Sequence, residues 1–350
     1  MKNISTEDSN RITSLRFLLI MFVVFIHNNL TADDAIYYNL PFSEPAAITH
    51  FKFIVTGLLG GAAVPLFFLF AGYLQFLKND DYAVLLKKRA KSLAVPYFAW
   101  TLLNVLLFFA AQSVPQLSSF FQDEHNIVRH WNFGDWLNLF WVHSEVYPFV
   151  YQFWFLRDLI ILIALSPILH FVAQKMPLAA LSAITLCYWN GLPLGFSTAL
   201  FFYAAGYFFA EYRVSPFKIA DKIRYPEYAI LLLSVLILHI FHLENLLHGL
   251  GTIFSCLFFL KLSLFIVSKE KLFSLTSYLA GFSFFLYAIH TPFLGTSLNK
   301  ISMRLIPLEN VGCLVQFIIP SVLCIAVGTA VGIFTKRFLP PVFKLLNGSR

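Results

Sequence analysis

Charged residues are scarce in this sequence. Asp, Glu, Lys and Arg make up 12% of the 350 residues, hydrophobic residues make up 59%, and the mean hydropathy is +0.73. A soluble domain carries about 25% charged residues, so the composition excludes a soluble globular protein and indicates an integral membrane protein. The formal net charge is +7. The basic residues fall in short loops between apolar runs, which is typical of membrane orientation and argues against nucleic acid as a partner.

The sequence is also poor in cysteine and has no recognisable repeat. Four cysteines lie in apolar segments without paired spacing or neighbouring histidines, so we expect buried thiols and neither a disulfide framework nor a metal site. Inverted repeats, which point to many secondary transporters, are missing. No small-residue cleavage site follows the first apolar run, so a cleavable signal peptide is not expected.

Apolar segments of bilayer-spanning length occupy most of the chain. They predict an all-α, polytopic integral membrane protein with about ten transmembrane helices. Residues 1–350 are expected to form a single transmembrane domain without a fused soluble domain. The predicted spans lie near residues 14–31, 52–77, 92–112, 151–172, 177–191, 196–211, 227–243, 247–267, 276–297 and 312–338.

The basic residues assign an orientation to these spans. Eighteen of the 25 Lys and Arg residues, Lys2 and Arg350 among them, lie on one side of the predicted helices. The opposite loops hold only Lys52, Arg129, Lys300 and Arg304. The positive-inside rule then predicts that both termini are cytosolic.

Two ionisable residues lie in the first apolar segment. Arg16 and His27 have ten residues between them, which in an α-helix is a rise of about 16 Å with both side chains on nearly the same face. Ionisable residues inside a membrane usually face a protein interior or a wet cavity. Either residue alone fits a snorkelling or core role, but the pair on one face favours a functional path.

Two further polar residues are predicted at the depth of His27. With the orientation above, Arg157 lies in the outer portion of the fourth span and His290 in the outer portion of the ninth. A single embedded histidine is usually a core residue, whereas two histidines and an arginine at one level indicate a site.

A basic cluster precedes the third span on the cytosolic side. It contains Lys87, Lys88, Arg89 and Lys91. One interpretation is a topology determinant that contacts anionic lipid. The other is a binding site for the phosphates of a cytosolic nucleotide-like donor.

The outer connection 113–150 is rich in Phe and Trp. Trp136, Leu137, Phe140 and Trp141 recur at helical spacing, which predicts a short amphipathic helix in the membrane interface. Anchoring at the headgroup level is the favoured role of these rings, and a sugar-stacking platform is the alternative.

Several segments, taken in order, resemble the membrane-bound acyltransferase-3 family, which includes bacterial O-acetyltransferases of surface polysaccharides. The resemblance covers most of the chain. The sequence departs from the family pattern at Thr13, where an Asp is common, and at Ala71, where a Ser is common. The matching segments are Ser14-Leu-Arg16 with His27, Val64 to Tyr73, the basic stretch ending in Pro96-Tyr97, Phe153 to Arg157 with Ser166-Pro167, and Phe285 to His290.

The resemblance implies transfer of an acetyl group from cytosolic acetyl-CoA to a sugar hydroxyl of a cell-surface or lipid-linked glycan, in a bacterial inner membrane. Arg16 and the cluster formed by Lys87, Lys88, Arg89 and Lys91 would bind coenzyme A. His27 would act as general base, Arg157 would stabilise an oxyanion or orient an anionic acceptor, and His290 would assist, bind acceptor or only pack. Direct transfer and a transient acyl-histidine both stay open.

Three alternatives remain open from the sequence. One is a transporter or flippase of a lipid-linked sugar, in which the polar residues line a substrate path. Another is a membrane sensor or scaffold with structural His and Arg residues. The third is an acyltransferase with another donor, such as succinyl-CoA, or with a small-molecule acceptor. The sequence does not indicate an oligomeric state.

Overall fold

The computed structural model describes residues 4–78, 81–115, 126–143, 147–190, 196–243 and 249–348. These residues form helices and loops, and an isolated β-bridge joins Ser43 to Glu309. Each of the ten segments predicted to span the membrane contains a helix within the described residues. The ten long helices are α1 (Thr6–His27), α2 (Ala46–Lys78), α3 (Tyr82–Gln112), α4 (Tyr151–Lys175), α5 (Pro177–Asn190), α6 (Ser197–Glu211), α7 (Tyr225–Ile240), α8 (Leu250–Ser268), α9 (the bent pair Glu270–Ala280 and Ser283–Met303) and α10 (Val311–Phe338).

The number of spans is smaller than ten by length and hydropathy alone. In the described part of the chain, six helices are long and apolar enough to cross a membrane. The number is eight if each of two bent pairs counts as one span, namely Pro216–Lys222 with Tyr225–Ile240 and Glu270–Ala280 with Ser283–Met303. α5 and α6 have 14 and 15 residues, fewer than the roughly 20 needed for a perpendicular crossing. The structure is therefore that of a multi-pass membrane protein, and the predicted count of ten remains a prediction. Lys2 and Arg350 lie outside the described residues.

The first helix lies at the centre of the bundle. α1 packs against α2, α8, α9 and α10, and its residues Leu15, Leu19 and Val24 are fully buried. A helix that is apolar on all sides can be enclosed in this way. Its N-terminal part is held by an ion pair, in which the buried Arg11 donates two hydrogen bonds of 2.6 and 2.8 Å to the carboxylate of the half-buried Asp221.

α2 and α6 meet at two glycines. A Cβ atom at Gly72 would collide with the carbonyl oxygen of Tyr203, and one at Gly206 would collide with the carbonyl oxygen of Leu69. The absence of side chains allows the two backbones to touch, as small residues do at membrane helix interfaces. Ala71 is the residue before Gly72 and therefore lies beside this contact.

α9 is interrupted where it passes His290. Thr291 has φ −149° and ψ 161°, an extended conformation inside the helix. The next residue is Pro292, and the proline ring disfavours helical geometry in the residue before it. The interruption turns the backbone at the point where His290 approaches α1.

The connection 113–150 contains a short helix, which ends before Phe140 and Trp141 of the predicted one. Phe133–Asn138 is helical, and the side chain of Asn132 caps it by accepting from the backbone N–H groups of Gly134 and Asp135. Trp136 and Trp141 are exposed, as membrane-interface anchors would be. Residues 116–125 and 144–146 of the same connection lie outside the described residues.

Candidate functional site

α1 carries Arg16 and His27 on one continuous helix. The rise between them is about 16 Å, and both side chains are half-buried. His27 is the last residue of the helix, and the following residue, Asn28, forms the cap. The helix therefore places a guanidinium near its middle and an imidazole at its C-terminal end.

The structure brings His27 and His290 together. Their ring centroids are 5.2 Å apart and the ring planes meet at 43°. His290 is fully buried and lies at the interruption of α9, which brings its ring beside the end of α1. Two histidines 263 positions apart in sequence thus form one pair.

A tyrosine contacts His27, and a threonine contacts that tyrosine. The hydroxyl of Tyr151 lies 3.2 Å from Nδ1 of His27, and the rings of the two residues are 5.1 Å apart. The hydroxyl of Thr291 donates a 3.0 Å hydrogen bond to the hydroxyl oxygen of Tyr151. The sequence did not single out either residue, because their role depends on the start of α4 meeting the interruption of α9.

His290 is held by the backbone of its own helix. Its Nδ1 lies 2.6 Å from the carbonyl oxygen of Tyr287. Its Nε2 is buried and has no hydrogen-bond partner among the described residues. Tyr287 is fixed in turn by a 2.7 Å hydrogen bond from its hydroxyl to the carbonyl oxygen of Gln152, and the amide of Gln152 donates to the carbonyl oxygen of Thr291.

A cavity of about 580 Å³ runs along the face of α1 that carries Arg16. Val23, one turn before His27, and Tyr287, whose ring is 6.1 Å from that of His290, line it as well. The cavity therefore extends from Arg16 toward the histidine pair. Its other lining residues include Thr13, Val64, Phe67, Phe70, Ala71, Leu74, Ser92, Phe155, Leu156, Ser283, Phe284 and Asn347.

Three cations and no described carboxylate line this cavity. The cations are Arg16, Lys78 and Arg89. Arg16 makes no ion pair or hydrogen bond with the residues that the structure describes, whereas Arg11, five positions earlier, is fully paired with Asp221. An apolar cavity whose described lining has cations at one end and no carboxylate is suited to an anionic ligand with an apolar arm.

In the structure, one residue of the basic cluster lines the cavity and the other three do not. Arg89 is half-buried and lines the cavity. Lys87, Lys88 and Lys91 are exposed and lie outside the cavity lining. Lys78 also lines the cavity. Its position there was not predicted from the sequence, because Lys78 was treated only as a topology determinant at the end of α2.

Arg157 is directed to other partners. Its guanidinium donates a 2.9 Å hydrogen bond to Asp158 and a 2.8 Å hydrogen bond to the carbonyl oxygen of Trp141. Its charge also lies over the Trp141 ring, 5.9 Å from the centroid. The structure therefore ties Arg157 to the aromatic outer connection, while His27 and His290 contact one another.

Within the described ranges, no cluster of side chains is suited to bind a metal ion. No group of three or more His, Cys, Asp or Glu side chains there is arranged to hold a metal ion. The four cysteines are free thiols, and three of them are buried.

The comparisons with known proteins agree on one class. The model of the acyltransferase-3 family, described as an acyltransferase domain, matches residues 9–336. The chain is also similar to the succinoglycan biosynthesis protein ExoH of Rhizobium meliloti (strain 1021), at 27% identity over 225 residues. The match covers 62% of this chain and 58% of the relative, so the chain spans less than two thirds of the relative's length. No solved structure matches the chain.

Proposed function

The chain belongs to the acyltransferase-3 family, and from this we propose that it is a membrane O-acyltransferase acting on a glycan. The proposed reaction moves an acetyl group from cytosolic acetyl-CoA to a hydroxyl of a cell-surface or lipid-linked sugar. The name of the relative, a succinoglycan biosynthesis protein, supports a polysaccharide acceptor.

The cavity along α1 is the observation that carries the proposal. Coenzyme A joins a phosphate-rich nucleotide to a long, largely uncharged arm that ends in the thioester. Arg16, Lys78 and Arg89 would bind the phosphates by charge-assisted hydrogen bonds, and the apolar walls of the cavity would hold the arm. The thioester would then reach the histidine pair.

The remaining basic residues would act at the entrance. Lys87, Lys88 and Lys91 are exposed beside Arg89, and we assign them the attraction of the donor's phosphates from the cytosol. Exposed charges are screened by solvent and salt, so their contribution to affinity would be smaller than that of Arg16.

The histidine pair is the proposed reaction centre. A sugar hydroxyl is a poor nucleophile and needs a base to accept its proton, a role for which imidazole is suited. His27 and His290 supply two rings at one place. We assign Arg157 to the acceptor side, because it contacts the aromatic outer connection through Trp141.

We also propose the topology that the charges indicate. Ten helices with both termini in the cytosol would put Arg16 near the cytosolic boundary and His27 in the outer half of a bacterial inner membrane. The donor would then enter from inside and the acceptor from outside.

The test uses purified protein in nanodiscs, with labelled acetyl-CoA and a lipid-linked glycan as acceptor. We expect label in an alkali-labile ester of the glycan, and a loss of that label in His27→Ala. Lys175→Ala, which changes an exposed cation away from the cavity, is the control. Transfer from succinyl-CoA alone would overturn the proposed donor. Glycan translocation independent of any acyl-CoA, without a new ester, would show a flippase instead.

A further inference from the structure

The hydrogen bonds around His27 assign its proton to one ring nitrogen. Thr291 is buried, and its hydroxyl hydrogen goes to the hydroxyl oxygen of Tyr151 at 3.0 Å. The one hydrogen of Tyr151 is then directed to Nδ1 of His27 at 3.2 Å. A neutral imidazole whose Nδ1 accepts a hydrogen bond carries its own hydrogen on Nε2. His27 therefore presents an N–H donor on the side of the ring away from Tyr151.

His290 has the opposite arrangement. A carbonyl oxygen only accepts hydrogen bonds, so the 2.6 Å contact with the carbonyl of Tyr287 requires a hydrogen on Nδ1 of His290. The neutral ring then has a lone pair on Nε2. That nitrogen is buried without a hydrogen-bond partner in the described part of the chain, and such a group normally has one. The unsatisfied atom indicates a ligand that donates a hydrogen bond, as a sugar hydroxyl does.

The two rings thus offer complementary groups within one site. Their centroids are 5.2 Å apart, with an N–H donor on His27 and a lone pair on His290. Resting on the proposed acyl transfer, we propose that His290 is the general base and that His27 is the donor that stabilises the oxyanion. This distribution of roles differs from the one expected from the sequence, in which His27 was the base.

The step balances with these two groups alone. The sugar hydroxyl gives its proton to Nε2 of His290 while its oxygen forms a bond with the thioester carbon. The carbonyl oxygen gains negative charge and accepts a hydrogen bond from Nε2–H of His27, which keeps its proton. The C–S bond then breaks, and the leaving thiolate takes the proton from His290. The products are the sugar ester and free coenzyme A thiol, with both rings neutral again.

Glutamine substitutions separate the two roles. The amide nitrogen of Gln can replace an imidazole Nε2–H as a donor, but the amide has no basic nitrogen. Removal of one oxyanion donor lowers kcat about 10²–10³-fold, so we expect that loss in His27→Ala and at least about tenfold more activity in His27→Gln. Loss of a general base costs about 10²–10⁴-fold, and His290→Gln should be as inactive as His290→Ala.

Each outcome decides the assignment. Equal losses in His27→Gln and His27→Ala would overturn it, and so would recovery of activity in His290→Gln but not in His27→Gln. Binding of labelled coenzyme A, which depends on the far end of the cavity, reports that every variant is folded.

A second measurement does not depend on activity. Nitrogen NMR of ¹⁵N-histidine-labelled protein in nanodiscs distinguishes the protonated from the bare ring nitrogen, and the two Gln variants assign the signals. We expect the hydrogen on Nε2 of His27 and on Nδ1 of His290, and the reverse pattern would overturn the inference. Wild-type protein that transfers no acyl group would refute the proposed function, while the two tautomers could still be read.

Discussion

Thr291 donates a 3.0 Å hydrogen bond to Tyr151, 140 positions earlier in the chain. Because Tyr151 also contacts Nδ1 of His27, one hydrogen-bonded chain joins α9, α4 and α1. The histidine is therefore oriented by residues from two other helices. A reacting group held in this way needs little reorganisation during the reaction.

The first prediction concerns Tyr151. Tyr151→Phe keeps the ring but removes the hydroxyl that orients His27, so kcat should fall about tenfold, which corresponds to about 1.4 kcal/mol. KM for the donor should stay unchanged, because the cavity cations are untouched. Tyr188→Phe is the matched control, since it removes a 3.1 Å hydrogen bond to the carbonyl of Gly249 outside the site. Equal kinetics of the two variants would contradict the role of Tyr151.

The second prediction concerns the cationic end of the cavity. Arg16→Ala should weaken binding of coenzyme A by at least about tenfold, because hydrogen bonds to charged groups contribute about 1.5–3 kcal/mol. Lys87→Ala should weaken it by much less, since Lys87 is exposed. Isothermal titration in nanodiscs measures both affinities, with Lys175→Ala as the control. Equal losses in Arg16→Ala and Lys87→Ala would show that the phosphates bind at the surface cluster.

The third prediction uses the position three residues before Arg16. Thr13 lines the same cavity, and residues at this spacing are neighbours on a helix. Thr13→Asp should pair with Arg16, raise the thermal stability of the ligand-free protein and weaken coenzyme A binding several-fold. Thr13→Asn has the same shape without the charge and should show neither effect. An unchanged affinity in Thr13→Asp would mean that Arg16 does not contact the donor.

The fourth prediction tests the glycine contact between α2 and α6. A methyl group at Gly72 would meet the backbone of Tyr203, which cannot move as a side chain can. Gly72→Ala should therefore destabilise the protein by about 1–3 kcal/mol, as overpacking does. Gly61→Ala is the control, because a Cβ atom there meets open space. Thermal unfolding in detergent compares the two, and equal midpoints would contradict the close approach.

The sequence could predict features that depend on one helix. Arg16 and His27 share a face of α1 because eleven residues complete about three turns. The interruption at Thr291 also has a local cause in the following proline. The ten helical segments were recognisable because long apolar runs separate them from loops.

Features that depend on several helices could not be predicted. Tyr151 gains its role only because the start of α4 lies beside His27 and Thr291. Lys78 lines the cavity and Lys87 does not, although both residues are exposed and both were predicted on the cytosolic side. Arg157 was predicted at the depth of the histidines, but depth alone does not say which way a side chain turns around its helix.

Arg16, a cavity cation without an ion-pair partner among the described residues, would link the folding of this protein to metabolism through the proposed donor. A cation removed from water without a counter-ion destabilises the state that contains it, and an anionic ligand at the cavity removes that penalty. A ligand present at 100 times its Kd adds about 2.7 kcal/mol to the stability of the folded protein. A shift of that size changes how much protein escapes proteolysis in cells. A cell depleted of acyl donor would then hold less of the enzyme, without any change in the rate of its synthesis.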